Sequence, residues 1–363
     1  MRVFFTGATG FVGGHILARL LEREEVSVLL LARDPSPERL WRAMQPHFDF
    51  DRFRALLGGR VRAVGGDITE AGLGLSAADR ALVTRETTSI LHCAASLNRK
   101  SEKACLNTNL RGTLEMLDLA RAIVADHGLR RFTHVSTVAV AGKRQDETVR
   151  EDAAIDWERS DYDPYARTKK FCEHMIARLL PDVPRTILRP SVVLGDGRTG
   201  QTTQFDMVHA FAFLARLPIL PLRPDHRIDI VPVDWVATAA AKIHLQTPPD
   251  HGIYHLSAGE ASPTYRQITT ALSRSPAYLP WLARPFDGMV RFLSSIAHGT
   301  GPGRAASRLQ VFLPYLRFNT VFDNARAVAA AGAAPAPFPA YASRLLQWSL
   351  ENRFAYPYRE WPR

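Results

Sequence analysis

Cysteine, lysine and long apolar runs are what this chain has least of, and each shortage closes a class of explanation. The 363 residues include three cysteines, Cys93, Cys105 and Cys172, far apart, in no CxxC pair and at no metal-ligand spacing with any of the twelve histidines. A disulfide scaffold and a structural metal are therefore not expected, and a reducing, cytoplasmic setting is. The longest apolar stretch, 205–222, is broken by Asp206, His209, Arg216, Pro218 and Pro221, too short and too polar to span a bilayer. The N-terminal apolar run ends in a glycine turn without a cleavage-type tail, unlike a signal peptide. Only six of the 46 basic residues are lysine, and the arginines behind the net charge of +10 are scattered. No nucleic-acid module is recognisable and no nucleic-acid partner is expected. A basic pocket for a phosphorylated small molecule suits the charge equally well.

What is present is concentrated at the start. An apolar strand runs into Thr6-Gly7-Ala8-Thr9-Gly10-Phe11-Val12-Gly13 and then an amphipathic helix. Gly7 allows a sharp exit from the strand, Gly10 lets backbone N–H groups approach a pyrophosphate, and Gly13 lets the helix pack closely on the sheet. The spacing is GxxGxxG, and Thr6, Gly7, Thr9, Gly10, Phe11, Val12 and Gly13 are the candidate cofactor cradle. Twenty residues on, the second strand ends in Arg33-Asp34. An arginine there can pair with the 2′-phosphate of NADP, so NADPH is the expected cofactor; the competing reading has Asp34 holding the ribose of NAD and Arg33 solvated. Asp67 and Ile68 close the third strand, where the aspartate can accept from an adenine amino group or cap the next turn.

Strand-like runs near 2–5, 27–31, 60–64, 89–92, 131–136 and 185–188 alternate with helical patterns near 12–23, 37–57, 77–85, 103–125 and 164–179. This predicts an α/β fold, a doubly wound parallel Rossmann sheet with a smaller, mostly helical C-terminal substrate or lid domain. The expected division is 1–195 for the nucleotide-binding domain, with 226–248 returning to it, and 196–225 plus 249–363 for the lid. The lid is rich in proline and large apolar groups; Phe205, Phe211, Phe213, Leu214, Trp281, Phe286 and Phe292 imply a greasy substrate, though each reads more readily as core than as pocket. Residues 299–303 read as flexible, and 327–342 as a helix end and a turn. The stretch 281–297 suits either an interfacial helix in peripheral contact with a membrane or an amphipathic helix packed on its own domain.

Tyr165 and Lys169 stand at i and i+4 near a helix start and so share a face. A neighbouring lysine charge favours the phenolate and lowers the tyrosine's pKa, making it a usable proton donor. Thr137, preferred to Ser136, ends the fifth strand, where a hydroxyl can bond a substrate oxygen. Cys93 as a covalent nucleophile lacks a base partner, since His92 points to the other side of its strand, and it reads as a packed thiol.

Together TGATGFVGG, Arg33, Asp67, His92-Cys93-Ala94-Ala95, Thr137, Tyr165 and Lys169 resemble the extended short-chain dehydrogenase/reductases over roughly residues 1–245. The resemblance implies a catalytic triad of Thr137, Tyr165 and Lys169, with Lys169 also meeting the cofactor, and assigns Ala94, Ala95, Pro190 and Val192 to the cofactor wall. Gly66-Asp67 followed by Leu73-Gly74-Leu75-Ser76, together with Asn109–Thr113, 230–236 and Phe322-Asp323-Asn324, is similar to the fatty acyl-CoA reductases and thioester reductase domains. That subgroup implies NADPH-dependent reduction of an acyl-CoA or carrier-bound acyl thioester to the aldehyde or onward to the alcohol, by a monomer or homodimer. A ketone or 3-hydroxysteroid-type dehydrogenase shares every triad residue and remains the main alternative; a non-catalytic NADP-binding regulator has no need of the triad.

Overall fold

The computed structural model describes residues 1–296 and 301–362. Seven parallel strands form the central sheet: β1 (Arg2–Thr6), β2 (Ser27–Ala32), β3 (Val61–Gly65), β4 (Ser89–His92), β5 (Arg131–Val135), β6 (Arg185–Pro190) and β7 (Ile253–Leu256). Their spatial order is β7-β6-β5-β4-β1-β2-β3. The direction of winding reverses between β1 and β4, and in such sheets ligands bind beyond the strand ends at that reversal.

Both faces of the sheet are covered, which is why the central strands β1 and β2 read as nearly continuous apolar runs instead of alternating. Val3, Phe5, Val28 and Leu30 face one core with Leu17 and Leu20 of the helix Phe11–Leu21 and Ala239 and Ala240 of the helix Val233–Leu245. Phe4, Leu29, Ile90 and Phe132 face the other, with Met116 and Ala120 of the helix Gly112–Asp126. Polar side chains pin the layers where no water reaches. His244 bridges the Ser89 hydroxyl (3.1 Å) and the Thr133 hydroxyl (2.8 Å), joining the helix Val233–Leu245 to β4 and β5.

The expected helix over 37–57 is two, Pro37–Met44 and Phe50–Leu57, because Pro46 interrupts it and Asp49 accepts from Arg52 N (2.8 Å) to cap the second. Before Gly112 the chain passes through a π-turn, Leu106–Arg111, which sets Asn109 inside the fold. The division of the chain also differs from the expected one. Residues 253–256, assigned to the lid, are the edge strand β7 of the main sheet, paired with β6. Residues 230 and 231 pair with Val192–Val193 in a separate two-stranded sheet instead of rejoining the main one. β7 is short and carries the buried His255, whose Nδ1 meets the Asp323 carbonyl (3.1 Å), so its apolar signature is diluted.

The C-terminal part has its own core, including Leu220, Ile230, Tyr265, Leu309, Phe312 and Tyr341. Two-residue strand pairs such as Ile219–Leu220 with Ala277–Tyr278 hold it, with the helices Asp206–Leu214, Ala283–Ile296 and Gly301–Phe312. Of the stretch expected to be flexible, Gly299 and Thr300 lie outside the described residues, and Gly301 begins a helix. The helix Ala325–Ala331 ends at Gly332, φ +80°, as the alanine-rich composition suggested. Beyond it the tail returns to the nucleotide-binding half: Arg359 N donates to Gln45 Oε1 (2.6 Å), and Trp361 packs edge-on to Phe50.

Candidate active site

The glycine turn is shaped by what it excludes. Gly7 takes φ +80°, and a Cβ there would lie 2.5 Å from Ala94 N; on Gly13 it would lie 2.0 Å from the Gly7 carbonyl. No other residue fits either position without moving backbone. Gly10 N donates to Gly7 O (3.1 Å), and the helix Phe11–Leu21 starts immediately after, its unpaired N–H groups and positive dipole end at the edge of a cavity of about 870 Å³. Parallel registry sets Thr6 beside His92, and Thr6 Oγ1 meets His92 Nδ1 at 2.7 Å while His92 Nε2 meets Thr113 Oγ1 at 3.1 Å. Burial, helped by the Lys169 charge, drives this imidazole down to about 3, so it bonds as a neutral ring.

At the end of β2, Arg33 lines the cavity, and so does Arg39, one turn into the next helix. Asp34 does not line it. Its carboxylate accepts from Ser36 N (3.0 Å), and hydrogen bonds from the Ser36 side chain and backbone hold it below the usual carboxylate range. Asp67 also lines the cavity, but its Oδ1 accepts from the Thr69 N–H (2.9 Å) and hydroxyl (2.8 Å), so of the two readings the sequence allowed, turn-capping is seen directly.

The helix Pro164–Leu179 begins where Asp163 accepts from Ala166 N (2.9 Å) and Pro164 occupies its first turn. That start sets Tyr165 and Lys169 on one buried face. Lys169 Nζ donates to the Val135 carbonyl (2.7 Å) and lies 3.5 Å from His134 Nε2. Burial pushes the Tyr165 phenol up, and the cation opposing that push is Arg99, whose Cζ lies 5.1 Å from the ring centroid. Burial likewise lowers the lysine. Of the two hydroxyls after β5, Ser136 Oγ donates to Glu173 Oε1 (2.5 Å), and Glu173 is in turn paired with Arg189 (2.6 Å), all buried. Thr137 Oγ1 accepts from Ala139 N (3.2 Å), which leaves its own proton available to a ligand. Burial pushes the Cys93 thiol up to about 11, against the pull of Lys169, the opposite of what a nucleophile needs.

The fold brings the expected catalytic and cofactor-binding positions to this one cavity: Thr6, Gly7, Thr9, Gly10, Phe11, Val12, Gly13, Arg33, Asp67, Ile68, Ala94, Ala95, Thr137, Tyr165, Lys169, Pro190 and Val192. The C-terminal part closes it with Met207, Ile228, Phe312, Tyr315 and Phe318. None of the seven apolar lid residues named from the sequence is among the lining. Leu214 is buried, Phe211 and Phe286 pack on the C-terminal core, and Phe213, Trp281 and Phe292 are exposed. Arg39, Arg99 and Tyr315 were not legible. Arg39 stands in the first turn of a helix, Arg99 in a loop and Tyr315 in a 3₁₀ turn, and no local spacing marks any of them as facing the cavity.

Residues 5–240, well over half of the chain, match the male sterility protein family of NAD-binding domains. The chain belongs to that family. It is 28% identical over 314 residues to an aldehyde reductase of Aspergillus flavus, covering 81% of this chain and 28% of that protein. It is 27% identical over 317 residues to a Drosophila melanogaster protein named as a fatty acyl-CoA reductase, covering 74% of this chain and 61% of that one. The male sterility family member described here thus spans between about a quarter and three-fifths of the length of these two relatives. In fold it is similar to the terminal R domain from the myxalamid PKS-NRPS biosynthetic pathway, with TM-score 0.82 and 24% identity over 97% of this chain and 91% of that one. The extended short-chain dehydrogenase/reductase resemblance and the doubly wound fold are both correct, and the chain carries an NAD(P)-binding domain. Among the described residues no helix is long and apolar enough to cross a membrane.

Proposed function

We propose that this protein is an NADPH-dependent reductase of acyl thioesters, taking an acyl chain from coenzyme A or a carrier protein to the aldehyde. The observation that carries the reading is the convergence of the glycine turn, Thr137, Tyr165 and Lys169 with an apolar wall from the C-terminal part in one cavity. The residues fit the cofactor: Gly7 and Gly13 leave room that no side chain could, and Arg33 and Arg39 line the cavity at the end where a 2′-phosphate belongs, while Asp34 is occupied by Ser36. Bound NADPH supplies a hydride to the acyl carbonyl carbon. Thr137 Oγ and the Tyr165 phenol donate to the carbonyl oxygen as negative charge gathers there, and Tyr165 gives up its proton to it. Lys169, fixed by the Val135 carbonyl, orients the cofactor end of the site and helps replace that proton. The resulting hemithioacetal then splits into aldehyde and free thiol. Cytoplasmic conditions suit the three unpaired thiols.

The test is NADPH oxidation by the purified protein, with NADH in parallel, against a long-chain acyl-CoA and a panel of hydrophobic ketones. NADPH oxidation with stoichiometric thiol release is expected, and Tyr165→Phe should lower kcat about 10²- to 10⁴-fold while NADPH binding persists. Turnover of ketones alone, without thiol, would move the protein to the ketone or hydroxysteroid dehydrogenases. An unchanged Tyr165→Phe rate would remove the triad from the reaction.

A peripheral membrane contact is a second element of this reading. Trp281, Phe292 and Met289 are 71%, 60% and 49% exposed along one short stretch, with Arg284 and Arg291 exposed beside them. Co-sedimentation with anionic vesicles that Trp281→Ala and Phe292→Ala abolish is the expected result; no sedimentation refutes it.

A further inference from the structure

The cation over the Tyr165 ring is not the one the sequence motif supplies. Arg99 comes from the loop after β4, and its guanidinium lies among three aromatic rings, with Cζ 5.1 Å from the Tyr165 centroid, 5.3 Å from Tyr315 and 5.4 Å from Phe312. Its Nε is 3.3 Å from Asp163 Oδ2, and the two side chains are only 19% and 11% exposed. The same Asp163 oxygen accepts from the Tyr315 hydroxyl (2.6 Å), while Asp163 Oδ1 caps the helix that carries Tyr165. Tyr315 is stacked on Tyr162, centroids 4.7 Å apart and planes 11° from parallel. Phe312 and Tyr315 both belong to the C-terminal part. A cation held against an aromatic face in a desolvated place is strongly felt by that ring.

We infer that Arg99 is a positioning residue which sets the proton-donating strength of Tyr165, and that the C-terminal part controls this step by holding Arg99 through Phe312 and Tyr315. The inference rests on the reading of Tyr165 as the proton donor. Other groups facing the phenol do not substitute for it. Cys93 and Cys105 are thiols whose ionisation burial pushes up to about 11, Asp163 is an anion that works in the opposite direction, and Lys169 Nζ is held at the Val135 carbonyl. A positive charge near a phenol favours its ionised form, so losing Arg99 makes Tyr165 a weaker acid and raises the pH at which it ionises.

Two readouts test this. The first needs no activity: the ultraviolet phenolate signal of Tyr165, taken as the difference between each protein and its Tyr165→Phe counterpart, titrated upward from pH 8. Arg99→Met should move that signal up by about one pH unit, Arg99→Lys by clearly less, and Tyr315→Leu in the same direction as Arg99→Met. The second is the pH profile of kcat for thioester reduction. Arg99→Met should lower kcat about tenfold at pH 7 and carry the alkaline limb upward, with the KM for NADPH unchanged. Coincident titrations of wild type and Arg99→Met overturn the inference even if Tyr165 proves essential. An unmoved Tyr315→Leu titration overturns the part assigned to the C-terminal residues. If Arg99→Met fails to bind NADPH or to fold, Arg99→Lys and Tyr315→Leu carry the same comparison. Should Tyr165→Phe keep full activity, the proposed function fails while the titration still decides whether Arg99 acts on the phenol.

Discussion

The sheet half and the C-terminal half of this molecule solve the same problem, burying enough apolar surface to stay folded, in opposite ways. In the sheet half, strands of four to six residues lie apolar on both faces under long helices, and even the polar side chains inside it, His92, Arg131 and His244, are bonded across layers. The C-terminal half relies on two-residue strand pairs and single 3₁₀ turns, with Leu194, Tyr265, Phe312 and Tyr341 meeting from distant parts of the chain. It also leaves large apolar groups such as Trp281 and Phe292 on its surface. The sheet half carries the cavity residues from Gly7 to Lys169. The C-terminal half supplies Met207, Phe312, Tyr315 and Phe318 to the cavity wall. Division of that kind lets the pocket's shape change without disturbing the chemistry.

Substitutions of matched type in the two halves should expose this difference, and the largest effect belongs to the glycine turn. Gly13→Ala places a Cβ 2.0 Å from the Gly7 carbonyl, with no flexible side chain to yield. It should destabilise the protein by about 3 kcal/mol or more and abolish measurable NADPH binding, as read by denaturant unfolding and cofactor fluorescence. Retention of wild-type affinity would show the turn to be more plastic than the geometry allows. Next comes Arg33→Ser, which should raise the KM for NADPH roughly ten- to a hundredfold and leave that for NADH unchanged, the effect of one charge-assisted bond. An equal effect on both cofactors would return the 2′ end of the site to Asp34.

Acid should strike the sheet half first. His92 and His244 are held at about 3 by burial, well below the ordinary 6.5, so the unfolded chain takes up protons that the folded one refuses. Their cost is absent above pH 6.5 and grows as pH falls from there toward 3, by about 1.4 kcal/mol per pH unit for each histidine. Urea midpoints between pH 7 and pH 5 should therefore fall steeply, and His244→Gln should remove one histidine's share of the slope even though it weakens the protein at pH 7. An unchanged slope would mean that His244 titrates freely. The smallest effect contrasts with the first. Gly288, in the helix Ala283–Ile296, has nothing within 4 Å of where a Cβ would stand. Gly288→Ala should stabilise the C-terminal half by about 0.5–1 kcal/mol, and a loss of stability on thermal unfolding would contradict the open space around it.

The readable part of the fold follows from how burial is distributed along the chain. The first six strands of the sheet and the helices between them recur with a regular apolar pattern, and the observed boundaries fall within about two residues of those expected, apart from the break at Pro46 and the π-turn Leu106–Arg111 inside the expected helix 103–125. β7 escaped because His255 stands in a four-residue strand, and the pairing of 230 and 231 with Val192–Val193 because two residues carry no period. At the site, the positions tied to a local motif that line the cavity were readable: the glycines, Arg33, and the Tyr165 and Lys169 pair. Where the Lys169 amine is held was not, since a shared helix face says nothing of where a flexible amine finds its acceptor.

Residue order by itself determined the doubly wound sheet, the glycine cradle and the Tyr165 and Lys169 pair, because each depends on backbone sterics and spacing within a few turns of chain. Only the tertiary structure decided which charge meets the Tyr165 ring, which hydroxyl after β5 is free to donate, and which aromatics face the cavity. Those outcomes depend on contacts between residues up to some two hundred positions apart, such as Arg99 with Tyr315, Ser136 with Glu173 and Val135 with Lys169. Burial makes each of them strong, and burial is a property of the assembled fold.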